Sequence, residues 1–476
     1  MNNTVLFVTS QLYPFTTGTM GIFNYSLPKN LIGMGWDARV IVPKVNKTYR
    51  PYPHDTEVIA ELNIAMGDKA YACTIEACVY DGVPLYFIQD SYYFGRDELY
   101  GYEDEVERFS FFTKAVLEAL PHLGFKPKLL HCQDWHTGFI PLLKKVKYAG
   151  QPFYEEIKTL YTIHNMGYQG IFDQDNCLFL DMDWEELLRH RVDYYEQLNF
   201  MKTGLLHADK ITAVSPTYAK EIATEQYGST LELTVQERQA DICGVLCGLD
   251  LEINNPSADA RIYANYDEHS LDGKYANKRM LQQALGFQVR EDIPILSLFS
   301  RLKTEKGLDL VKNTFKDIMK LDIQFVMVSN GDAVYEEFFQ EAARKYPDKF
   351  SFTLYDNDFA YKAYAGSDLF LMPSSYEPCG IGQLIALRYG TVPIVRQVGG
   401  LNDSIQHYNE ETGEGNGFLF KHYNAKVMLY TIRQAIEVYK RKETWENIVR
   451  NCMVQNHGWP RYVKEYTGVY ERVLGA

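Results

Sequence analysis

The sequence predicts an α/β protein of two large domains, each a doubly wound parallel sheet covered by helices. Three observations carry this expectation. The chain has 476 residues, more than the roughly 250–300 at which a single core stops growing. Short, almost wholly apolar strand-like runs alternate with helix-like segments, the pattern of parallel strands buried on both faces. The alternation breaks at Asn254-Asn255-Pro256-Ser257 and then starts again, so this polar, proline-containing stretch reads as a linker.

The first half opens with Val5-Leu6-Phe7-Val8 and the loop Thr16-Thr17-Gly18-Thr19-Met20-Gly21. A helix is predicted to follow up to Ile32 and to stop at Gly33-Met34-Gly35, with a strand over 38–42 completing a βαβ unit. The pattern recurs: Leu129-Leu130-His131 leads into Asp134-Trp135-His136, a strand over 159–163 ends at His164, and one over 211–214 ends at Ser215-Pro216. In open α/β sheets ligands bind outside the carboxyl ends of the strands, so His131, Asp134, His164 and Ser215 are candidates to line one crevice. A serine at such a place also suits a helix cap, and both readings of Ser215 stand at this level. The second half predicts strands over 295–299, 325–328, 352–354, 369–372 and 393–395, with helices between them.

Lys plus Arg number 48 against 62 Asp plus Glu, a net charge of −14, which repels nucleic acid and anionic membrane surfaces. Any phosphate on a ligand must therefore meet a local basic site. The amino terminus has no basic region ahead of its apolar run and no stretch approaches the roughly 20 apolar residues of a membrane span, so a cytoplasmic protein is expected. The 8 cysteines are scattered; Cys73/Cys78 and Cys243/Cys247 lack the spacing and histidine partners of a zinc site. Aromatic residues make up 14% of the chain, with 36 tyrosines; they suit both ordinary cores and stacking platforms for sugars.

Two segments carry chemistry. Phe299-Ser300-Arg301-Leu302-Lys303-Thr304-Glu305-Lys306-Gly307 lies where a strand gives way to a helix. Arg301 and Lys306 there suit a diphosphate, because fixed cations neutralise the charge that grows on a phosphate leaving group. Pro373-Ser374-Ser375-Tyr376-Glu377-Pro378-Cys379-Gly380-Ile381-Gly382-Gln383 again follows an apolar strand and opens a helix. Its glycines let backbone approach a ligand, the helix start aims N–H groups at it, and Glu377 can bond hydroxyls of a sugar or ribose.

Along nearly the whole chain these residues resemble the bacterial glycogen synthases and plant starch synthases, retaining glucosyltransferases of the GT-B fold (glycosyltransferase family 5). The likeness runs through Tyr93-Phe94-Gly95-Arg96-Asp97, His131-Cys132-Gln133-Asp134-Trp135-His136-Thr137-Gly138, Thr162-Ile163-His164-Asn165-Met166-Gly167-Tyr168-Gln169-Gly170 and Asn199-Phe200-Met201-Lys202. It continues in Ser300-Arg301-Leu302, Lys306-Gly307-Leu308, Glu377-Pro378-Cys379-Gly380 and Gly399-Gly400-Leu401. The resemblance implies two Rossmann-like domains facing across a cleft, an acceptor-side domain over 1–250 completed by a helix over 456–476, and a nucleotide-sugar domain over 251–455. It implies glucose transfer from ADP-glucose or UDP-glucose to the non-reducing end of an α-1,4-glucan with retention, without a metal or other cofactor.

By the same resemblance Arg301, Lys306, Glu377 and His164 carry the catalysis. Tyr355 stacks on the base, while Cys379, Gly380, Ile381, Gln383 and Gly21 contact the donor. Asp134, Tyr93, Trp135 and Asn165 lie on the sugar and acceptor side. The implied partners are the nucleotide sugar and an α-glucan; the oligomeric state stays open.

The chain departs from the family pattern in four places. The family's Lys-x-Gly-Gly-Leu loop is here Thr16 to Ile22 without a lysine, its following aspartate corresponds to Asn24, an asparagine is replaced by Cys247, and a threonine by Gly382. These departures leave open a glucan-binding paralogue with weak or no turnover, or a GT-B enzyme with another donor or acceptor.

Overall fold

The computed structural model describes residues 3–16, 18–48 and 50–475; Thr17 of the glycine-bearing loop lies outside them. The chain divides into two compact units, one formed by Met1–Gly248 with Trp459–Ala476 and the other by Leu249–Gly458.

The first unit is built on a nine-stranded sheet. Val5, Leu6, Phe7 and Val8 are all fully buried, which is why this strand, Thr4–Val8, takes the centre. It pairs in parallel with Asp37–Pro43 on one side and Leu129–Gln133 on the other. From Leu129–Gln133 the sheet continues in parallel through Lys158–Ile163, Lys210–Ala213 and Ile242–Gly244. On the opposite flank Asp37–Pro43 pairs in parallel with Val83–Gln89, and two long antiparallel strands, Lys69–Tyr80 and Glu57–Met66, complete the sheet. The chain thus moves to one flank and returns to the other, so the carboxyl ends of Thr4–Val8 and Leu129–Gln133 bound the crevice of a topological switch point.

The sequence reading did not foresee the antiparallel pair. Glu57–Met66 is exposed or half-buried along most of its length, so it presents no apolar run. The helix Trp459–Leu474 belongs to this unit and buries Tyr462, Tyr466 and Tyr470. The Tyr470 hydroxyl bonds His131 Nδ1 at 2.9 Å, and Thr162 Oγ1 lies 2.6 Å from its Nε2. His131 is therefore a satisfied core residue and does not line the crevice.

The second unit is a six-stranded, wholly parallel sheet in the order Phe350–Thr353, Gln324–Gly331, Ile295–Leu302, Leu369–Met372, Val392–Arg396, Phe418–Phe420. Its switch point lies between Ile295–Leu302 and Leu369–Met372. The edge strand Phe418–Phe420 has 3 residues, too few to show in a pattern. The expected linker is not free chain: Asn254 is buried, with its carbonyl accepting from Arg388 Nε at 3.2 Å and its Oδ1 from the Tyr361 hydroxyl at 2.8 Å. No helix among the described residues is long and apolar enough to cross a membrane.

Candidate functional site

The two chemistry-bearing loops of the second unit leave the two strands that flank its switch point. This placement follows from strand order: Ile295–Leu302 releases the chain into Lys303–Gly307, and its neighbour Leu369–Met372 releases it into Pro373–Ile381. The loops are joined closely. Ser375 donates its backbone N–H to the Glu305 carbonyl at 2.9 Å, and its hydroxyl reaches the same oxygen at 3.2 Å. Gly307 has a φ of +76°, and a Cβ there would stand 2.2 Å from the Pro373 carbonyl oxygen. Only glycine permits both the left-handed turn and this approach.

The join brings Lys306 to Glu377. Lys306 Nζ lies 3.0 Å and 2.8 Å from the two Glu377 carboxylate oxygens, and the hydroxyl of buried Ser374 donates to Oε2 at 2.9 Å. Both partners are largely shielded, at 18% and 9% side-chain exposure. Arg396 braces the loop from behind, donating through one Nη to the Ser374 and Ser375 carbonyls at 3.3 and 2.8 Å. Below Glu377, Gly400 donates its N–H to the Glu377 and Pro378 carbonyls at 3.1 Å each, and a Cβ on Gly400 would lie 1.9 Å from the Cys379 oxygen. Ser374 and Arg396 escaped the sequence reading, since a single serine or arginine carries no spacing signal.

Arg301 stands exposed near the end of its strand and makes no ion pair among the described residues. The structure therefore brings Lys306, Glu377 and Ser374 together and leaves Arg301 outside their contacts. Tyr355 is 53% exposed at the end of the opposite edge strand, with its hydroxyl 3.4 Å from Asn357 Oδ1. Cys379 is buried, Gly380 has a φ of +70°, and Ile381 precedes the helix Gly382–Arg388, which has no side-chain cap. Gln383 was expected to touch the donor. Its side chain is fully buried and donates to the Cys379 and Gly380 carbonyls at 3.1 and 3.0 Å, so it holds the loop from inside. At Gly382 a Cβ would meet Phe370 and Tyr364 at 3.2 Å, which gives a local packing reason for the glycine.

In the first unit, Asp134 and His164 meet at the ends of adjacent strands. Asp134 takes a φ of 53°, and its Oδ1 accepts the backbone N–H of His164 at 2.7 Å and of Asn165 at 3.4 Å. Burial raises the Asp134 carboxyl to about 7 despite those hydrogen bonds. The His164 ring has Nε2 2.8 Å from Gln133 Oε1, which assigns the proton to Nε2. Burial pushes this imidazole down to about 3, so it is neutral at physiological pH. Asn165 Oδ1 accepts the Gly167 N–H at 2.9 Å.

Tyr93 is fully buried among Tyr71, Tyr92 and Phe111. Trp135 is nearly so, its ring packed on His136 and Phe109. Neither therefore offers an open ring. Ser215 caps the helix Pro216–Glu221 through the Tyr218 N–H at 3.1 Å; capping is its observed role.

Gly21 lies buried in the first turn of the helix Thr19–Gly33, its carbonyl accepting from Tyr13. Asn24 is fully buried on the same helix and donates to Thr9 Oγ1 at 2.7 Å and to the Met20 carbonyl at 2.9 Å. A carboxylate could not donate to that carbonyl, which gives a local reason for the amide, although its own Oδ1 is buried without a partner among the described residues. Cys247 is buried just before the unit boundary.

Comparison with known proteins bears on the whole chain. A family model described as "Starch synthase catalytic domain" matches residues 4–237, and one described as "Glycosyl transferases group 1" matches 286–451. A protein named glycogen synthase from Clostridium novyi is 44% identical over 475 residues, covering 99% of each chain. Another of that name from Desulforamulus reducens is 42% identical over 475 residues, covering 99% of this chain and 98% of its own. Among solved structures, the catalytic domain of starch synthase IV from Arabidopsis thaliana, described as bound to ADP and acarbose, superposes with a TM-score of 0.92 at 29% identity over 100% of both chains. A sucrose-phosphate synthase from Thermosynechococcus elongatus, at 16% identity and a TM-score of 0.64, shares the fold.

Proposed function

This chain belongs to the glycogen and starch synthase family, and we propose that it transfers glucose, with retention, from a nucleoside diphosphate glucose to the non-reducing end of an α-1,4-glucan. The observation that carries this reading is the Lys306–Glu377–Ser374 cluster at the switch point of the second unit. A shielded ammonium held by a bidentate carboxylate is preorganised for charge that develops on a leaving diphosphate, which is where electrostatic stabilisation accelerates a reaction.

In this mechanism Arg301 and Lys306 hold the diphosphate, and Glu377 keeps Lys306 aimed while bonding hydroxyls of the transferred sugar. Backbone of Cys379, Gly380 and Ile381 lines the donor, and the exposed ring of Tyr355 stacks on the base. Asp134 and neutral His164 act at the reacting glucose, with Asn165 beside them. No residue is assigned as nucleophile; the acceptor hydroxyl attacks from the face the diphosphate leaves, and the departing phosphate oxygen takes its proton. Side-chain cations supply the neutralisation, so the reaction is proposed to need no metal.

ADP-glucose is the proposed donor, a choice supported by the ADP in the described Arabidopsis structure. The reading of a silent paralogue is not favoured, given 44% identity to a glycogen synthase over 475 residues and the intact Lys306–Glu377 pair. Incubation with glycogen and labelled ADP-glucose or UDP-glucose tests the proposal. Label should enter polymer from ADP-glucose, more slowly from UDP-glucose, and should be released by an α-1,4-specific hydrolase; absence of incorporation from both donors would overturn it.

A further inference from the structure

The first unit carries a strained aromatic turn that the mechanism above does not use. The short strands Asp193–Tyr194 and Gln197–Asn199 pair antiparallel, with Gln197 opposite Tyr194, leaving Tyr195 and Glu196 as a two-residue turn. Both central residues are left-handed, with φ of 50° and 63°. Turns of this type favour Asn-Gly or Gly-Gly, because residues with larger side chains are strained there. The turn nevertheless presents Tyr195 at 78% exposure, its ring 4.8 Å from that of Tyr194 in an edge-on pair.

The strain is held by contacts that lead back to the site. The Tyr194 hydroxyl bonds Thr230 Oγ1, and Ser229 and Thr230 are themselves left-handed, at 50° and 72°. Gln169, in the loop that follows His164, donates to the Ser229 carbonyl at 2.7 Å and accepts from Asn199 Nδ2 at 2.6 Å. The third strand of this small sheet, Ile171–Asp173, places Phe172 against the Trp135 ring at 5.7 Å. The hairpin is thus rooted on Trp135, next to Asp134, and on Gln169 of the loop after His164, and at about 3.3 Å per strand residue its turn starts roughly 7 Å beyond Asn199.

We infer that Tyr195, braced by Tyr194, is an outer glucan-binding platform: its ring stacks on the C–H face of a glucose unit in an α-1,4-glucan strand. This rests on the glucan-acceptor reading above. The negative face of an aromatic ring attracts the weakly positive C–H groups of a pyranose. Asp193, Glu196 and Gln197 beside it supply acceptors and donors for the hydroxyl rim. A protein partner would need about 800 Å² on each side, whereas the tip offers one ring among acidic and amide side chains.

The test compares wild type, Tyr195→Gly and Tyr195→Phe in the full chain. Glycine is the residue the turn conformation prefers, so loss of the ring is not confounded by unfolding. Y195G should hold or raise Tm and bind glycogen about three- to tenfold more weakly in affinity gel electrophoresis. The ratio of kcat/KM for glycogen to kcat/KM for maltotriose should fall by the same factor, while Y195F stays within about twofold of wild type. Unchanged glycogen affinity and an unchanged ratio in Y195G overturn the platform. So does a change of oligomeric state in Y195G without loss of glycogen affinity, which would make the tip a contact between copies. Failure of the wild type to extend either acceptor would instead refute the proposed function, and it reads separately because gel affinity requires no turnover.

Discussion

Replacing Lys306 by alanine separates the proposed chemistry from simple scaffolding, because the structure assigns this side chain a partner whose loss can be weighed. Lys306 Nζ contacts both oxygens of Glu377, and both groups are mostly shielded, at 18% and 9% side-chain exposure. Removing one member of a buried pair costs about 3–5 kcal/mol because the other charge is left unmatched. Here Ser374 still donates to Glu377 and the lysine keeps some contact with water, so about 2–3 kcal/mol is expected. At about 2–4 °C per kcal/mol for a unit of this size, the transition of the second unit should fall by about 5–10 °C. Sequence reading alone would expect unchanged stability, since it treats Lys306 as a free phosphate ligand. Turnover should drop at least about 100-fold, or about 2.7 kcal/mol of transition-state stabilisation.

Calorimetry and a glucan-extension assay on K306A, E377A and the double variant measure both effects. The double variant removes both charges, so it should be more stable than the sum of the two single losses predicts, by about 1 kcal/mol or more. A K306A protein with wild-type Tm and wild-type turnover, or strictly additive losses, would refute the reasoning.

Four further outcomes are expected. Gly307→Ala should lower Tm and reduce turnover at least about tenfold, since a Cβ would sit 2.2 Å from the Pro373 oxygen at a φ of +76°; differential scanning fluorimetry and the extension assay check it. Burial pushes the Asp134 carboxyl up from its ordinary 3.8 to about 7 in the folded protein. The folded protein therefore holds more protons than the unfolded chain between those values, and stability falls as pH rises through that window. Asp134→Asn, which can still accept the His164 N–H, should show a Tm that gains on wild type from about pH 4 to 7, whatever it does to activity. His164, pushed down to about 3, should give no imidazole titration near 6.5 by NMR. Activity should survive excess EDTA; abolition by the chelator and rescue by magnesium would contradict the proposed cationic clamp.

The run of wholly apolar residues at 5–8 and the similar runs at 295–299 and 369–372 were enough to fix parallel sheets, because strands buried on both faces leave no polar alternation to confuse the pattern. Glycine, cation and carboxylate motifs at the strand ends likewise marked Arg301, Lys306 and Glu377 as candidates, of which the structure joins Lys306 to Glu377. The half-exposed strands Glu57–Met66 and Lys69–Tyr80 were not legible, because their burial is irregular and neither presents a continuous apolar run or a clean alternation. Nor was the difference between two histidines that each end an apolar strand. His131 spends both ring nitrogens on Tyr470 and Thr162, while His164 lies against Asp134 and Gln133. Residue type sets what a side chain can do; only the tertiary structure decides which neighbours use up its hydrogen bonds. The same holds for Lys306, whose charge the sequence displays and whose partner appears only when strand order sets the loops of Ile295–Leu302 and Leu369–Met372 side by side.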